Sequence, residues 1–224
     1  MGWLGYAGVF AAFLATHTIP VRPAIRGRLV SMLGQRGFTL AYSVLSLAML
    51  GLLIHATGRA PYLLVWPTQP WHIPVVQIGM LVVCGILALA LGRPNPFSFG
   101  GARNDRFEAA RPGIVRVLRH PVLAALALWA GLHLLANGDL AHLLLFGILG
   151  AFTLIGRPLI DRRKRREMGA EAWRQLLDET RGATLLQAPR SWAGPGLRLA
   201  AAAAAYGALV WLHPLVIGVP AGGG

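Results

Sequence analysis

The chain has 224 residues, of which 55% are hydrophobic and only 13% are charged, and its mean hydropathy is +0.57. This balance excludes an ordinary soluble domain and predicts an all-α integral membrane protein. With a single cysteine, Cys84, the chain has neither a disulfide framework nor a paired-thiol metal motif.

Six runs free of Asp, Glu, Lys and Arg approach the length of about 20 residues that crosses a hydrocarbon core of about 30 Å. They cover residues 2–20, 38–57, 73–91, 121–136, 140–156 and 199–218. The first run lacks a basic start and a small-residue cleavage site, so we expect a retained helix rather than a signal peptide. The sequence therefore predicts a polytopic protein with six transmembrane helices.

The connections between these runs differ in character. Residues 21–38 are short and predict a hairpin of the first two helices. Residues 92–121 are interrupted by prolines and glycines and cannot form one regular helix. The sequence "NGD" at 137–139 is a tight turn that would pair the fourth and fifth helices. Residues 161–177 carry an apolar stripe against a basic face, which predicts an amphipathic cytoplasmic helix on the inner leaflet, between the fifth and sixth transmembrane helices.

The positive charge, formally +13 at pH 7, is concentrated in three of these connections. All of the 21 Lys and Arg residues except Arg59 fall in the connections after the first, third and fifth runs. This is the positive-inside pattern of a six-helix protein with both termini outside the cytoplasm. We expect the basic connections to attract anionic lipid at the cytoplasmic face. No basic face with interleaved aromatics is present, so a nucleic-acid partner is not expected.

Polar residues within or beside the spans are mainly histidines, because no Asp or Glu lies in a predicted span. The lack of deep carboxylates argues against a proton pump or an ion-coupled transporter. His17 and His133 lie inside apolar runs, where an imidazole is costly unless it is hydrogen-bonded or ligating. Two imidazoles without a nearby cysteine or carboxylate suit haem iron better than zinc, which requires three protein ligands.

A second candidate site is the cationic group at the start of the fourth helix. Arg116, Arg119 and His120 precede Pro121, which suits the first turn of a helix. Helix starts favour anions, so this group could hold a carboxylate or phosphate of a ligand, or it could anchor lipid headgroups.

Several blocks of the sequence, in order, resemble the NnrU family of bacterial inner-membrane proteins. They include "HTIPVRPAIRGRLVSMLGQRGF", "APYLLVWP", "NPFSFGG", "PGIVRVLRHPVLAALALWAGLHLLANGD" and "DRRKRREMG". The resemblance covers most of residues 1–175 and implies a polytopic protein associated with nitrite and nitric oxide reduction in denitrification. It divides the chain into an NnrU-like transmembrane domain, residues 1–192, and an additional transmembrane helix in residues 193–224.

The NnrU family is similar in turn to zeta-carotene isomerases, which bind haem b. Their first-helix histidine falls on His17 and their fourth-helix histidine on His133. This resemblance implies haem b as cofactor, a hydrophobic small-molecule ligand, and isomerase-like or redox-sensing activity. The isomerases also have a cysteine three residues before the second histidine, where this chain has Ala130.

A more distant resemblance, to isoprenylcysteine carboxyl methyltransferases, rests on Arg119, His120 and Pro121. These residues match an "RHP" block where S-adenosylmethionine binds, which implies a membrane-embedded methyltransferase-like enzyme. The glutamate-rich stretch of those enzymes is replaced here by Asp161 and a run of bases. A third hypothesis is a non-catalytic assembly factor for a reductase.

Helix geometry leaves the haem ligands open. On straight helices His17 lies about 24 Å from the outer surface, whereas His133 lies about one turn from it. His120 shares the inner level with His17. The predicted metal ligands are therefore His17 with either His133 or His120, and Arg116 and Arg119 could bind an anionic group of the cofactor. A homo-oligomer is compatible with these patterns.

Overall fold

The computed structural model describes residues 1–184 and 191–221, and in these residues it contains seven α-helices, two short 3-10 turns and no β-strand. The helices are α1 (Trp3–Thr18), α2 (Pro23–Thr57), α3 (His72–Ala90), α4 (Pro121–Ala136), α5 (Leu140–Met168), α6 (Ala170–Gly182) and α7 (Ala193–Val216). The predicted all-α class is confirmed. Part of the connection after the fifth run, residues 185–190, and the final glycines, residues 222–224, lie outside the described residues.

Four helices in the described residues are long and apolar enough to cross a membrane, namely α2, α3, α5 and α7. The chain therefore has the character of a membrane protein. Both α1 and α4 contain 16 residues, or about 24 Å at 1.5 Å per residue, which is shorter than a hydrocarbon core of about 30 Å. These two helices occupy the first and fourth of the six predicted spans.

The chain divides into two compact units, of which the first comprises Met1–Pro67 and Gly138–Leu145. In this unit α1 packs antiparallel on α2. The hydroxyls of Tyr6 and Thr57 lie 3.2 Å apart at one end of the pair, and the Tyr42 hydroxyl donates to the His17 carbonyl (2.9 Å) at the other. The predicted hairpin of the first two helices is therefore present.

The first predicted connection, residues 21–38, is not a loop. Helix α2 begins at Pro23 and is interrupted only at Gly34, where φ is 69° and ψ is 166°. Glycine adopts this positive φ without the steric penalty that a side chain would meet. The basic stretch is helical because arginine, leucine and methionine are all good helix formers.

The turn at 137–139 is fixed by the segment that precedes α3. Within the first unit, the backbone N–H groups of Val65 and Trp66 both donate to the Gly138 carbonyl, at 2.7 and 3.0 Å. A Cβ atom on Gly138 would lie only 1.7 Å from the Trp66 carbonyl oxygen. Glycine is required here by this close backbone approach.

The second unit comprises Thr68–Asn137 and Phe146–Gly224. In it α3 packs on both α4 and α7. Val83, Ala125 and Leu132 are buried together between α3 and α4. A Cβ on Gly79 would lie 2.5 Å from Leu132 Cδ1, so the absence of a side chain lets the two helices approach closely.

Helices α4 and α5 run antiparallel within the second unit, as predicted. The ring of Phe146, in α5, lies 5.2 Å from that of Trp129 and 4.7 Å from that of His133, both in α4. Further along the pair, Gly156 of α5 faces Leu123 of α4.

The predicted amphipathic helix is found as α6, with shifted bounds and a different partner. The basic residues 161–168 belong to α5, which ends before Gly169, where φ is 86°. The apolar face of α6 packs on protein, since Trp173 and Leu177 are buried with Phe97 and Val115 from the connection between α3 and α4. The expectation that this stripe faces lipid is therefore wrong.

Candidate functional site

The connection between α3 and α4 is folded onto the start of α4 by the buried side chain of Asn95. Its amide donates to the Arg119 carbonyl (3.1 Å), and its Oδ1 accepts from the backbone N–H of Phe97 (3.1 Å). The side chain of Asn104 accepts from the Asn95 backbone N–H (2.9 Å). These bonds place the "NPFS" stretch beside the first turn of α4.

His120 is the residue directly before α4, and both of its ring nitrogens have partners. Nδ1 lies 3.1 Å from the hydroxyl of Ser98, and Nε2 lies 3.0 Å from Oδ1 of Asp161. Both His120 and Ser98 are only 3% exposed. The imidazole is therefore a buried link between the α3–α4 connection and α5.

Asp161 also binds Arg119 through two hydrogen bonds. Nε of Arg119 donates to Oδ1 at 3.2 Å, and a terminal nitrogen donates to Oδ2. This two-pronged geometry suits a guanidinium and a carboxylate. The guanidinium carbon of Arg119 lies 5.7 Å from the ring centre of Trp173. Arg119 is thus held between the α5 carboxylate and the buried ring of α6.

Burial lowers the pKa of His120, and the charges around it act in both directions. The Asp161 carboxylate favours the protonated ring, whereas the Arg119 and Arg157 guanidiniums disfavour it. The net lowering keeps the ring neutral at neutral pH. If Nε2–H of the neutral ring donates to Asp161, then Nδ1 accepts a hydrogen bond from the Ser98 hydroxyl.

The three predicted cationic residues are divided between two surroundings. Arg119 and His120 share Asp161. Arg116 instead donates from Nε to the Ala183 carbonyl (3.0 Å) and lines a neighbouring cavity. Arg119 and His120 thus lie together, as their positions in the sequence indicated, but Arg116 does not join them, and the Asp161 carboxylate that binds both was not predicted.

His17, in the first unit, is held against its own helix by a hydrogen bond and a ring contact. Its Nδ1 lies 2.8 Å from the Phe13 carbonyl one turn earlier, and its half-buried ring lies 4.1 Å from the Phe13 ring. A backbone bond at Nδ1 fixes the tautomer in which Nε2 is the basic nitrogen, as is usual for histidines that bind metals.

His133, in the second unit, makes the same bond. Its Nδ1 lies 2.9 Å from the Trp129 carbonyl, and its ring lies between those of Trp129 (5.0 Å) and Phe146 (4.7 Å). In contrast, His120 would have to give up Ser98 or Asp161 to bind a metal. His17 and His133 therefore share the same bond from Nδ1 to a backbone carbonyl, whereas the ring nitrogens of His120 lie beside the side chains of Ser98 and Asp161.

Among the described residues, no group of three or more His, Cys, Asp or Glu side chains is arranged to hold a metal ion. A donor set of single histidines fits haem iron, which needs one or two, better than a hydrolytic zinc site.

A family model described as NnrU protein matches residues 6–221. The chain belongs to the NnrU family. The match to this family includes α7, and so it extends beyond residues 1–175, where the sequence blocks lie. No curated protein and no solved structure matches the chain.

Sequence reasoning missed the polar side chains that surround Arg119 and His120. Ser98 and Asn95 stand in the "NPFSFGG" block, where two polar residues among phenylalanines, prolines and glycines were the available signal. Asp161 was visible only as the acidic residue that begins a basic run. Nothing in the spacing between 119 and 161 predicts that the two residues meet.

Proposed function

We propose that this NnrU-family protein crosses the bacterial inner membrane six times, with both termini in the periplasm. The distribution of Lys and Arg supports this topology. Both α1 and α4 are short, but each packs against a longer apolar helix, α2 and α3 respectively, which would help them to span the bilayer. The bases of residues 162–166 lie at the end of the 29-residue α5, about 43 Å long, so they would extend past the hydrocarbon core.

Within this topology the protein is proposed to bind haem b. His17 is the first candidate for an axial ligand, and His133 is the next candidate for the other axial position. The observation that carries the proposal is the Nδ1 bond of each ring to the carbonyl one turn earlier. His120 is the third candidate, and to bind iron it would have to give up its contact with Ser98 or with Asp161. A bound haem would supply a redox-active iron, which fits the proposed isomerase-like or redox-sensing role in denitrification.

Aromatic rings around these histidines are what the chain itself would contribute. The Phe13 ring lies against the His17 ring, and the Tyr42 hydroxyl donates a hydrogen bond to the His17 carbonyl. Trp129 and Phe146 flank His133. Such rings restrict the orientation of each imidazole and keep water away from it.

An absorption spectrum of protein purified from haem-replete cells tests the proposal. We expect a Soret band in the wild type that is lost or shifted in His17→Ala. The spectrum of His133→Ala is measured separately, and a lost or shifted band there would support His133 as a ligand. His55→Ala is the matched control, because His55 lies in the same unit as His17 and is exposed. A wild-type protein without a Soret band, or a His17→Ala spectrum equal to that of the wild type, would refute haem ligation. Reductase maturation that depends on such a haem-free protein would identify a non-catalytic assembly factor.

The S-adenosylmethionine alternative requires Arg119 to be open to the carboxylate of that cofactor. Asp161 already holds this guanidinium through two bonds. Calorimetric titration with S-adenosylmethionine tests the alternative directly, and an absence of heat would eliminate it.

A further inference from the structure

A basic cavity lies where two apolar helices of the second unit end. It has a volume of about 690 Å³ and is bounded by the last residues of α3, the α3–α4 connection and the first residues of α7. Arg198 of α7 donates to the carbonyls of Ala88 (2.6 Å) and Leu91 (2.9 Å) at the end of α3. These bonds fasten the two helix ends and fix the width of the cavity.

Among the described residues, five arginines line this cavity. They are Arg93, Arg106, Arg111, Arg116 and Arg198, with Glu108 as the acidic residue in the lining. In the described part of the chain, none of the five forms an ion pair with a carboxylate. Like charges gathered in this way repel one another, so an anion that enters between them is stabilised.

The walls between the arginines are apolar. Leu89 of α3, Phe107 and Ile114 of the connection, and Trp192 and Leu199 at the start of α7 line the same space. The volume falls in the range of small-molecule sites, about 300–1,000 Å³. An arginine cluster beside apolar walls suits a ligand that joins an anionic group to a hydrocarbon portion.

The level of the cavity identifies the anionic group further. Both α3 and α7 are long and apolar enough to cross a membrane, so their adjoining ends mark the level of lipid headgroups. Guanidiniums bind phosphate oxygens through paired hydrogen bonds. We propose that this cavity binds a phosphate group, supplied by an anionic phospholipid whose acyl chains lie along α3 and α7. The proposal is independent of haem binding because it uses none of the candidate haem ligands.

The test uses the full-length protein in detergent and short-chain lipids with matched acyl chains. Native mass spectrometry would compare the affinity for dioctanoyl phosphatidylglycerol with that for dioctanoyl phosphatidylcholine, and inorganic phosphate would be added as a soluble competitor. The variant is Arg93→Gln/Arg106→Gln/Arg111→Gln. We chose these three arginines because Arg116 and Arg198 make backbone hydrogen bonds that hold the fold.

The matched control removes the same charge from exposed arginines outside the cavity, as Arg162→Gln/Arg166→Gln/Arg181→Gln. We expect the cavity variant to bind phosphatidylglycerol about tenfold more weakly or worse, and the control to lose much less, since a general surface attraction is shared by all bases. A different result would be that millimolar inorganic phosphate displaces phosphatidylglycerol from the wild type and binds more weakly to the cavity variant. That result would confirm a phosphate site but would assign it to a soluble ligand. Equal losses in the two variants, or no preference over phosphatidylcholine, would overturn the proposal. A melting temperature measured for each variant confirms that it is folded.

Discussion

Replacing Asp161 by asparagine tests how much the ion pair beside α4 stabilises the protein. The substitution keeps the shape of the side chain and one oxygen acceptor, but it removes the negative charge that faces Arg119. The guanidinium is then held in a partly buried place without its counter-charge. His120 keeps an acceptor only if the amide oxygen turns toward it.

The exposures of the two side chains set the size of the effect. Breaking a fully buried pair costs about 3–5 kcal/mol, whereas exposed pairs contribute about 0–1 kcal/mol. The side chains of Arg119 and Asp161 are 27% and 18% exposed, so we expect an intermediate loss of about 2 kcal/mol. In a chain of this length, that corresponds to a fall in melting temperature of about 4–8 °C.

Thermal unfolding in detergent can be followed with a thiol-reactive dye. Cys84 is the single cysteine of the chain and is only 7% exposed, so the dye reacts when the protein unfolds. Glu167→Gln is the matched control, because this residue lies on the same helix and pairs with Arg163, whose side chain is 72% exposed. The control should change the stability by no more than about 0.5 kcal/mol. Equal melting temperatures for the two variants would refute the argument.

Three further predictions use the same assay. Trp173→Ala should destabilise the protein by about 3–5 kcal/mol, because this ring is only 4% exposed and fills the contact of α6 with the α3–α4 connection. Gly138→Ala should prevent the normal turn before α5, because its Cβ would overlap the Trp66 carbonyl, and we expect poorly folded protein or a melting temperature lowered by more than that of any surface variant. Burial lowers the pKa of His120, so its contribution to stability should be complete above the ordinary histidine pKa of about 6.5 and lost as the pH falls toward the lowered pKa of the folded state. His120→Gln should flatten this acidic part of the stability profile.

The Trp173→Ala and Gly138→Ala predictions each have a matched control variant. Trp192→Ala removes an indole that is 71% exposed and should leave the melting temperature nearly unchanged. Gly8→Ala adds a Cβ that meets no atom within 4 Å. If either control lowers stability as much as its buried counterpart, the burial argument for that position is wrong. An unchanged pH profile in His120→Gln would show that other groups set the acid sensitivity.

Hydropathy predicted where the apolar helices lie, but not where helices end. The fourth run, 121–136, coincides with α4, since Pro121 begins both the apolar run and the helix. The basic stretch before residue 38 was assigned to a loop, yet α2 begins at Pro23. The error has a physical cause: hydropathy reports which solvent a segment prefers, whereas arginine-rich segments are good helix formers. The same reasoning explains why residues 161–168 continue α5.

Glycines mark the breaks that hydropathy could not show. Gly34 and Gly169 both adopt positive φ, at 69° and 86°, and each separates a basic helical stretch from its neighbour. A glycine in a helical pattern is tolerated at a modest cost, so the residue alone does not predict a break. Tertiary packing decides whether the helix breaks at such a glycine. It likewise decides which surface the apolar face of α6 contacts, since Trp173 is buried against protein.

Only the part of the candidate site that is formed by neighbouring residues in the sequence was predictable. Arg119, His120 and the helix start at Pro121 are neighbours along the chain, and their grouping was expected. The contact with Asp161 joins residues more than 40 positions apart through the folding of α4 on α5. It also changes the chemistry, since a group predicted to attract an anion already contains one.

The cavity arginines show how membrane topology and ligand binding can depend on the same residues in different ways. The positive-inside rule counts lysine and arginine alike. It therefore predicts on which side of the membrane Arg93, Arg106 and Arg111 lie, but it does not predict that they line one cavity. Phosphate recognition does distinguish arginine from lysine, because a guanidinium presents a planar fork of donors, whereas an ammonium is a point charge. Replacing all three by lysine should therefore preserve the orientation of the protein, measured by periplasmic reporter fusions, and weaken phosphatidylglycerol binding. If the lysine variant binds the lipid as tightly as the wild type, net charge at the headgroup level accounts for the attraction, and the arrangement of the guanidiniums adds nothing to it.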